Sequence, residues 1–201
     1  TPIFVNVGKN RDTPNENAAA DYIQLMRGLY DSADAFVINI SSPNTKGLRD
    51  LQNRDQLKTL LSQILQQRGS KPILLKLSPD LDDQSLRETL DVSLECGIDG
   101  WILTNTTTSR QPGLKFSQEG GVSGLPLREL SKKILKASLD HLGSQRQGKL
   151  VISVGGIMSA EDVFERLEMG ADLVQVYSGL IYSGPGFIQN VIEQALQMER
   201  R

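Results

Sequence analysis

The sequence predicts a parallel α/β protein, and within that class a barrel of β/α units. Three observations lead there. Short, nearly continuous apolar runs recur along the 201 residues, as in strands covered on both faces. Amphipathic stretches at helical spacing separate them. A polar cluster follows nearly every run: GKN, NISSPNT, KLSPD, TNTTTSR, VGGI and VYSG. In a barrel the C-terminal ends of all strands converge on one mouth, so these clusters can share one site. In an open doubly wound sheet they spread along an edge, and only those at the switch point meet.

Strands are expected at 3–7 (IFVNV), 35–40 (AFVINI), 72–77 (PILLKL), 100–104 (GWILT), 150–154 (LVISV) and 173–177 (LVQVY). After the first, NENAAADYIQLMRGLYDSA spaces Ala and Leu as a helix does. RDQLKTLLSQILQQRG repeats Leu and Ile at three and four and is expected to end at Gly69 as its C-terminal cap. DDQSLRETLDVSLECG opens with aspartates and ends at Gly97 in the same way. SAEDVFERLEMGA places Ser159 at the N-cap with Asp162 three residues on, a relative of the capping box. GFIQNVIEQALQMERR closes the chain. Six units do not close an eight-stranded barrel, so about two are expected to be missing from the front. The opening TPIFVNVGKN, without methionine and running straight into a strand, agrees with a cut inside a longer protein.

Composition narrows the function classes. The formal net charge is −2 with both signs mixed along the chain, which speaks against a nucleic-acid groove or a polybasic membrane patch. No apolar run has the length of a membrane span, and the start lacks a signal-peptide pattern. One cysteine, Cys96, allows neither an internal disulfide nor a cysteine metal cluster; near a helix end, it is expected to be a small buried thiol. The lone His141, at a helix end running into a loop, is not expected to be catalytic. The 18 glycines fit many tight turns.

The residues that break local patterns are the candidates for chemistry. Gly155 and Gly156 follow a strand and precede a helix starting near Ser159. Small residues there let backbone N–H groups approach a phosphate, and a helix N-terminus favours the anion. Ser178 and Gly179 offer a second such turn after the last strand. Counted back from the end, these are the seventh and eighth barrel loops, where phosphate sites often lie; plain tight-turn glycine is the alternative. Lys76 interrupts ILLKLSP, where a buried strand wants an apolar residue. It either faces an anionic ligand in the mouth, or lies on an edge strand or snorkels to solvent. Asn39 and Asn105 break apolar strands near their ends, and Asn10 ends the first run. Amides carry donors and acceptors that suit a planar polar heterocycle; the turn-former alternative fits Asn10 best and Asn39 least. There is no zinc motif, P-loop or GxGxxG. Amides, hydroxyls, one lysine and a phosphate cradle suit a flavin or other phosphorylated cofactor beside a small polar substrate.

Together, GKN, NISSPNTKGLRDLQ, KLSPDL, DGWILTNTT, GGVSGLPL, VGGI and LVQVYSGLIYSGP closely resemble the dihydroorotate dehydrogenases in their class 2, quinone-dependent form, over essentially the whole chain. The resemblance implies a (β/α)8 TIM barrel, truncated to about its last six β/α units, with residues 1–201 as one FMN-binding domain lacking its N-terminal strands. It implies oxidation of dihydroorotate to orotate in pyrimidine biosynthesis, with electrons passed to a membrane quinone. In class 1 the loop base is a cysteine; here the loop reads Ser41-Ser42-Pro43-Asn44, so Ser42 is the implied base and Thr45 its relay. An unperturbed serine hydroxyl is a poor base, so it needs a relay and a water-poor site. Lys76 would stabilise charge on the reduced flavin. Asn39, Asn44, Asn105 and Thr106 would hold the substrate. Asn10, Asn39, Lys76, Thr104, Ser123, Gly124, Gly155, Gly156, Tyr177 and Ser178 would contact FMN, and no metal or nucleic acid is implied. Val122 and Ser178 stand where the family often has Leu and Thr. The family's first two strands, and the N-terminal helices that meet membrane and quinone, are not in the sequence. The parent protein is expected peripherally on the inner membrane, on the cytoplasmic side in a bacterium or in the mitochondrion of a eukaryote. The isolated chain, with open strand edges, is expected to bind FMN weakly or not at all. Other FMN barrels of class 1 type, the related domain of dihydropyrimidine dehydrogenase, and a catalytically silent phosphate-binding barrel are the alternatives.

Overall fold

A computed structural model of the chain describes residues 1–110 and 120–199. The strands are β1 (Phe4–Val7), β2 (Ala35–Asn39), β3 (Ile73–Leu77), β4 (Gly100–Leu103), β5 (Leu150–Val154) and β6 (Leu173–Gln175). The helices are α1 (Ala18–Leu29), α2 (Arg54–Leu65), α3 (Asp83–Cys96), α4 (Arg128–Leu142), α5 (Ala160–Glu168), α6 (Ser178–Ser183) and α7 (Gly186–Glu199). Each strand pairs in parallel with the next in sequence, in the order β1-β2-β3-β4-β5-β6. A doubly wound sheet reverses its order at a switch point; sequential order is the winding of a (β/α) barrel. Among the described residues the barrel is incomplete, with β1 and β6 as open edges. No helix of the described residues is long and apolar enough to cross a membrane.

Successive strand residues point to opposite faces, and the two faces have different fillings. Phe36, Ile38, Leu75, Leu77, Trp101, Leu103 and Val151 pack outward with the buried stripes of α1 to α4, including Tyr22, Leu57, Leu90 and Leu135. Ala35, Val37, Leu74, Ile102 and Ile152 form a separate inner cluster, joined by Phe4, Leu150 and Val154. Following the inner face toward the strand ends by twos, β2 arrives at Asn39 and β3 at Lys76, which are direct neighbours in the register. The polar residues therefore sit on the inner face, just beyond its apolar floor.

Gly97 takes a left-handed conformation, φ 81°, and caps α3 as the sequence predicts. Gly69 does not cap α2: the helix stops at Leu65 with Gln66 as its C-cap, and Gly69 turns the chain beyond it. The predicted last strand stops at Gln175, short of Tyr177. Helix α4 is more than the end seen in the sequence around His141; Leu130, Ile134 and Leu135 give it a buried stripe over β4 and β5. The capping box at α5 is present in full, with both Ser159 and Asp162 bonding across the first turn. The last two residues of the predicted C-terminal helix lie outside the described residues. Cys96 is half-buried rather than buried, and burial raises its thiol pKa. His141 finds an acidic partner 50 residues away, Asp91 on α3, with Nε2 2.7 Å from Oδ1.

Candidate active site

A cavity of about 430 Å³ opens at the C-terminal ends of β3 to β6. It has the size of a small-ligand site. Lys76, Thr104, Asn105, Thr106, Ser123, Gly124, Gly155, Gly156, Tyr177 and Ser178, all predicted from the sequence, line it. Leu127, Val154, Ile157, Gln175 and Val176 complete the wall and were not predicted. Gln175 was legible, being the polar residue that interrupts LVQVY.

Lys76 stands on β3, an interior strand, so the edge-strand alternative falls away. Its ammonium has no hydrogen-bond or carboxylate partner among the described residues, and burial lowers its pKa. Partly burying a charge without a partner is costly, and the half-buried Lys76 would be relieved by an anion.

Side chains from the loops after β2 and β4 form a second polar cluster. Asn39 Oδ1 accepts from Ser41 N–H (3.2 Å), Ser41 Oγ (3.1 Å) and Asn105 Nδ2 (3.2 Å). Asn105 Nδ2 also reaches Ser41 Oγ at 3.0 Å, while its Oδ1 accepts from Thr106 N–H at 2.8 Å. From α1, Tyr22 donates its hydroxyl to the Asn39 carbonyl at 3.0 Å and anchors the end of β2. Burial raises the pKa of that hydroxyl, which keeps it a donor. Ser41, fully buried, is the node of this network and was not singled out in the sequence.

Ser42 is half-buried on the loop just beyond, and its Oγ accepts from Asn44 N–H at 3.3 Å. Thr45 is half-buried and Asn44 exposed in the same loop, with no hydrogen bond from either side chain to Ser42. Asn39, Ser42, Asn44 and Thr45 flank the cavity rather than line it. Asn10 is not brought to it: it is exposed beyond β1, and its N–H bonds Asp21 at 2.8 Å.

Arg49, absent from the sequence reading, ties these loops together. Its Nε donates to the Ser41 carbonyl (3.0 Å), its Nη2 to the Thr106 carbonyl (2.9 Å), and its Nη1 pairs with Asp80 Oδ2 (2.7 Å). Asp80 also accepts from Thr107 Oγ1, Thr108 N–H and Thr108 Oγ1. Burial alone would raise the Asp80 carboxyl, but the bonds from Thr107, Thr108 and Arg49 outweigh it and hold the pKa below the ordinary value. The loops after β2, β3 and β4 thus share one ion-pair hub.

The opposite wall is main chain. Thr107 and Val122 exchange backbone bonds of 3.1 and 2.7 Å, which carries Ser123 and Gly124 to the cavity, where Ser178 Oγ donates to Ser123 Oγ at 3.0 Å. Gly156 has φ 73°, and a Cβ there would lie 2.2 Å from Arg128 Cα, so only glycine lets the turn touch the start of α4. A Cβ on Gly179 would lie 2.4 Å from the Ile157 carbonyl oxygen. At the start of α5, Asp162 Oδ2 accepts from Met158 N–H (2.8 Å) and Ser159 N–H (3.1 Å), and Ser159 Oγ accepts from Asp162 N–H (3.3 Å). A phosphate cradle that side chains would fill, an apolar wall of Val154, Ile157 and Val176, and a partnerless lysine together fit FMN.

Comparison with known proteins agrees with this geometry. The family described as dihydroorotate dehydrogenase matches residues 1–198. A protein named dihydroorotate dehydrogenase (quinone) from Anaeromyxobacter sp. (strain Fw109-5) is 43% identical over 197 residues, 94% of this chain and 53% of its own length. Its namesake from Natronomonas pharaonis is 40% identical over 203 residues, covering 100% of this chain and 56% of its own. The crystal structure of DHODH from Eimeria tenella in complex with ferulenol superposes with a TM-score of 0.88 at 34% identity, over 97% of this chain and 57% of that one. The chain spans about half the length of the curated relatives it matches. With a family match over nearly its whole length and relatives above 40% identity, the chain belongs to the dihydroorotate dehydrogenase family.

Proposed function

We propose that residues 1–201 form the FMN-binding part of an enzyme that oxidises dihydroorotate to orotate and passes the electrons to a quinone. The single observation that carries this reading is Lys76: a half-buried cation, partnerless among the described residues, on the inner face of an interior strand, in the wall of a cavity it shares with a glycine turn. The relatives named dihydroorotate dehydrogenase (quinone) supply the substrate and the acceptor. FMN, when bound, supplies the hydride acceptor for C6–H of the substrate. Ser42 Oγ takes the proton from C5, leaving the C5=C6 double bond of orotate, and Thr45 carries that proton on through the loop. Asn105, held by Asn39 and Ser41, presents its amide to the substrate ring beside Thr106. Asn39 and Asn44 complete the substrate contacts. The Lys76 ammonium offsets the negative charge that collects during hydride transfer. Thr104, Ser123, Gly124, Gly155, Gly156, Tyr177 and Ser178 hold the cofactor; Asn10, outside the lining of this cavity, would meet it beyond the end of β1. Quinone is met at the membrane surface, which places the enzyme peripherally on the inner membrane. Ser42, where a class 1 enzyme has cysteine, favours the quinone-dependent reading over the class 1 one.

Ser42→Ala in the full-length protein tests the assignment. Flavin reduction by dihydroorotate, followed by stopped-flow absorbance, is expected to slow by about 10²–10⁴, the range for a lost general base. Reduction at the wild-type rate sinks it, and bound FMN that dihydroorotate never reduces in the wild type points to a silent barrel instead.

A further inference from the structure

Arg166 is a fully buried arginine that the proposed chemistry does not use. It lies on α5, on the stripe with Ala160 and Val163, where an apolar residue belongs. Its Nη2 donates to the Gly155 carbonyl (3.1 Å), the Arg128 carbonyl (3.1 Å) and Ser131 Oγ (2.9 Å), and its Nη1 reaches Ser153 Oγ at 3.4 Å. Its Nε has no partner. No carboxylate touches the guanidinium among the described residues. The nearby acids are engaged elsewhere: Asp162 pairs with Arg128 at 2.6 Å, and Glu165 and Glu129 pair with Lys132. Burial lowers the Arg166 pKa, opposed by the charges of Glu165, Asp162 and Glu129.

The partners of Arg166 determine how the glycine turn faces. In a trans peptide the C=O of one residue and the N–H of the next point in opposite directions. The Gly155 carbonyl is drawn back by Arg166 Nη2 and by Ser131 Oγ, at 2.7 Å, which leaves the Gly156 N–H pointing the opposite way. Arg128 Nε holds the Gly156 carbonyl at 3.4 Å, which does the same for the Ile157 N–H. Gly155, Gly156 and Ile157 all line the cavity. The turn is a nest of donors aimed by arginines behind it.

We propose that Arg166 is the positioning residue of the phosphate cradle, orienting the Gly155–Ile157 turn so that its N–H groups meet the cofactor phosphate and placing a positive charge behind it. The proposal rests on the FMN reading above. It is tested in the full-length protein by the dissociation constants of FMN and of riboflavin, which lacks the phosphate, read from flavin fluorescence in the wild type, Arg166→Met and Arg166→Lys. Wild type is expected to prefer FMN. Arg166→Met is expected to weaken FMN by about 10- to 100-fold, the worth of a lost charged hydrogen bond or two, with riboflavin changed by less than about 3-fold. Arg166→Lys, which keeps the charge and loses the fork, should fall between. If Arg166→Met does not fold, Arg166→Lys decides by the same ratio. Equal losses for both flavins, or an unchanged preference for FMN in the variants, overturn the proposal alone. A wild type that binds both flavins alike overturns the phosphate reading and the proposal with it.

Discussion

The two walls of the mouth are made of different material. On the β5–β6 side the cavity meets main chain: Gly155, Gly156 and the turn at Ser178, with apolar Val154 and Ile157 alongside. On the β2–β4 side it meets side-chain amides and hydroxyls, Asn105 and Thr106 with Asn39 and Ser41 behind them. Each wall is fastened from behind by arginine side chains holding carbonyl oxygens. Arg166 holds Gly155 and Arg128 with no carboxylate in contact; Arg49 holds Ser41 and Thr106 and is paired with Asp80. A main-chain wall offers uniform N–H donors and tolerates no added atom, which suits a phosphate. A side-chain wall offers donors and acceptors in a fixed pattern, which suits a particular polar ring. Behind the main-chain wall stand Arg166, with no carboxylate in contact among the described residues, and Arg128, paired with Asp162; behind the side-chain wall stands Arg49, paired with Asp80.

The hardest blow to the main-chain wall is Gly156→Ala. The new Cβ would meet Arg128 Cα at 2.2 Å and Arg128 N at 2.5 Å, main-chain atoms that move only with α4, and the φ of 73° is itself strained for alanine. A loss of about 2–5 kcal/mol in urea denaturation is expected from overpacking and backbone strain together, with loss of FMN binding. Stability within about 0.5 kcal/mol of wild type, the ordinary range of a neutral substitution, would show that the wall can give.

Much of this site is legible in the sequence because its residues break a local rule. Lys76 and Asn39 interrupt apolar strands, and Gly155-Gly156 falls between a strand and a helix, so periodicity alone marks them. The fastenings are not legible in that way. Arg49 sits in GLRDLQ, where an arginine looks like any surface residue; its partners at Asp80 and Thr106 are 31 and 57 residues away. Ser41 reads as one hydroxyl among several, and only the approach of Asn105 from β4 makes it a node. Arg166 did leave a trace, since it follows Ala160 and Val163 at helical spacing on the buried stripe of α5. Strand order and face follow from local pattern; contacts between loops do not, because they depend on how the strand ends converge.

The side-chain wall should prove softer and act on turnover rather than on cofactor. Arg49→Lys keeps the charge but cannot reach the Ser41 carbonyl, the Thr106 carbonyl and Asp80 together. Turnover is expected to drop about 10-fold or more, since small displacements of catalytic groups are costly, with FMN affinity unchanged. A double-mutant cycle of Arg49→Met with Asp80→Asn is expected to give a coupling of about 1–2 kcal/mol in stability, within the range for contacting residues. The two side chains are only 22% and 19% exposed, so solvent screening does not erase it. A coupling near zero, or an FMN affinity that falls with turnover, would mean that the two walls are not separately fastened.

The smallest effect concerns acid. Asp80 has its pKa held below the ordinary value of 3.8 by bonds from Thr107, Thr108 and Arg49. A carboxyl whose pKa is lower in the folded than in the unfolded chain stabilises the fold fully above the unfolded value, and that contribution is lost as pH falls through the folded one. Wild type should therefore exceed Asp80→Asn in stability by a constant margin above about pH 5. The margin should narrow below pH 4, as the protonated aspartic acid comes to resemble the amide. Urea denaturation of both proteins across that range measures it. If the Asp80 margin is flat down to the acid transition, the hub is held by shape rather than by charge.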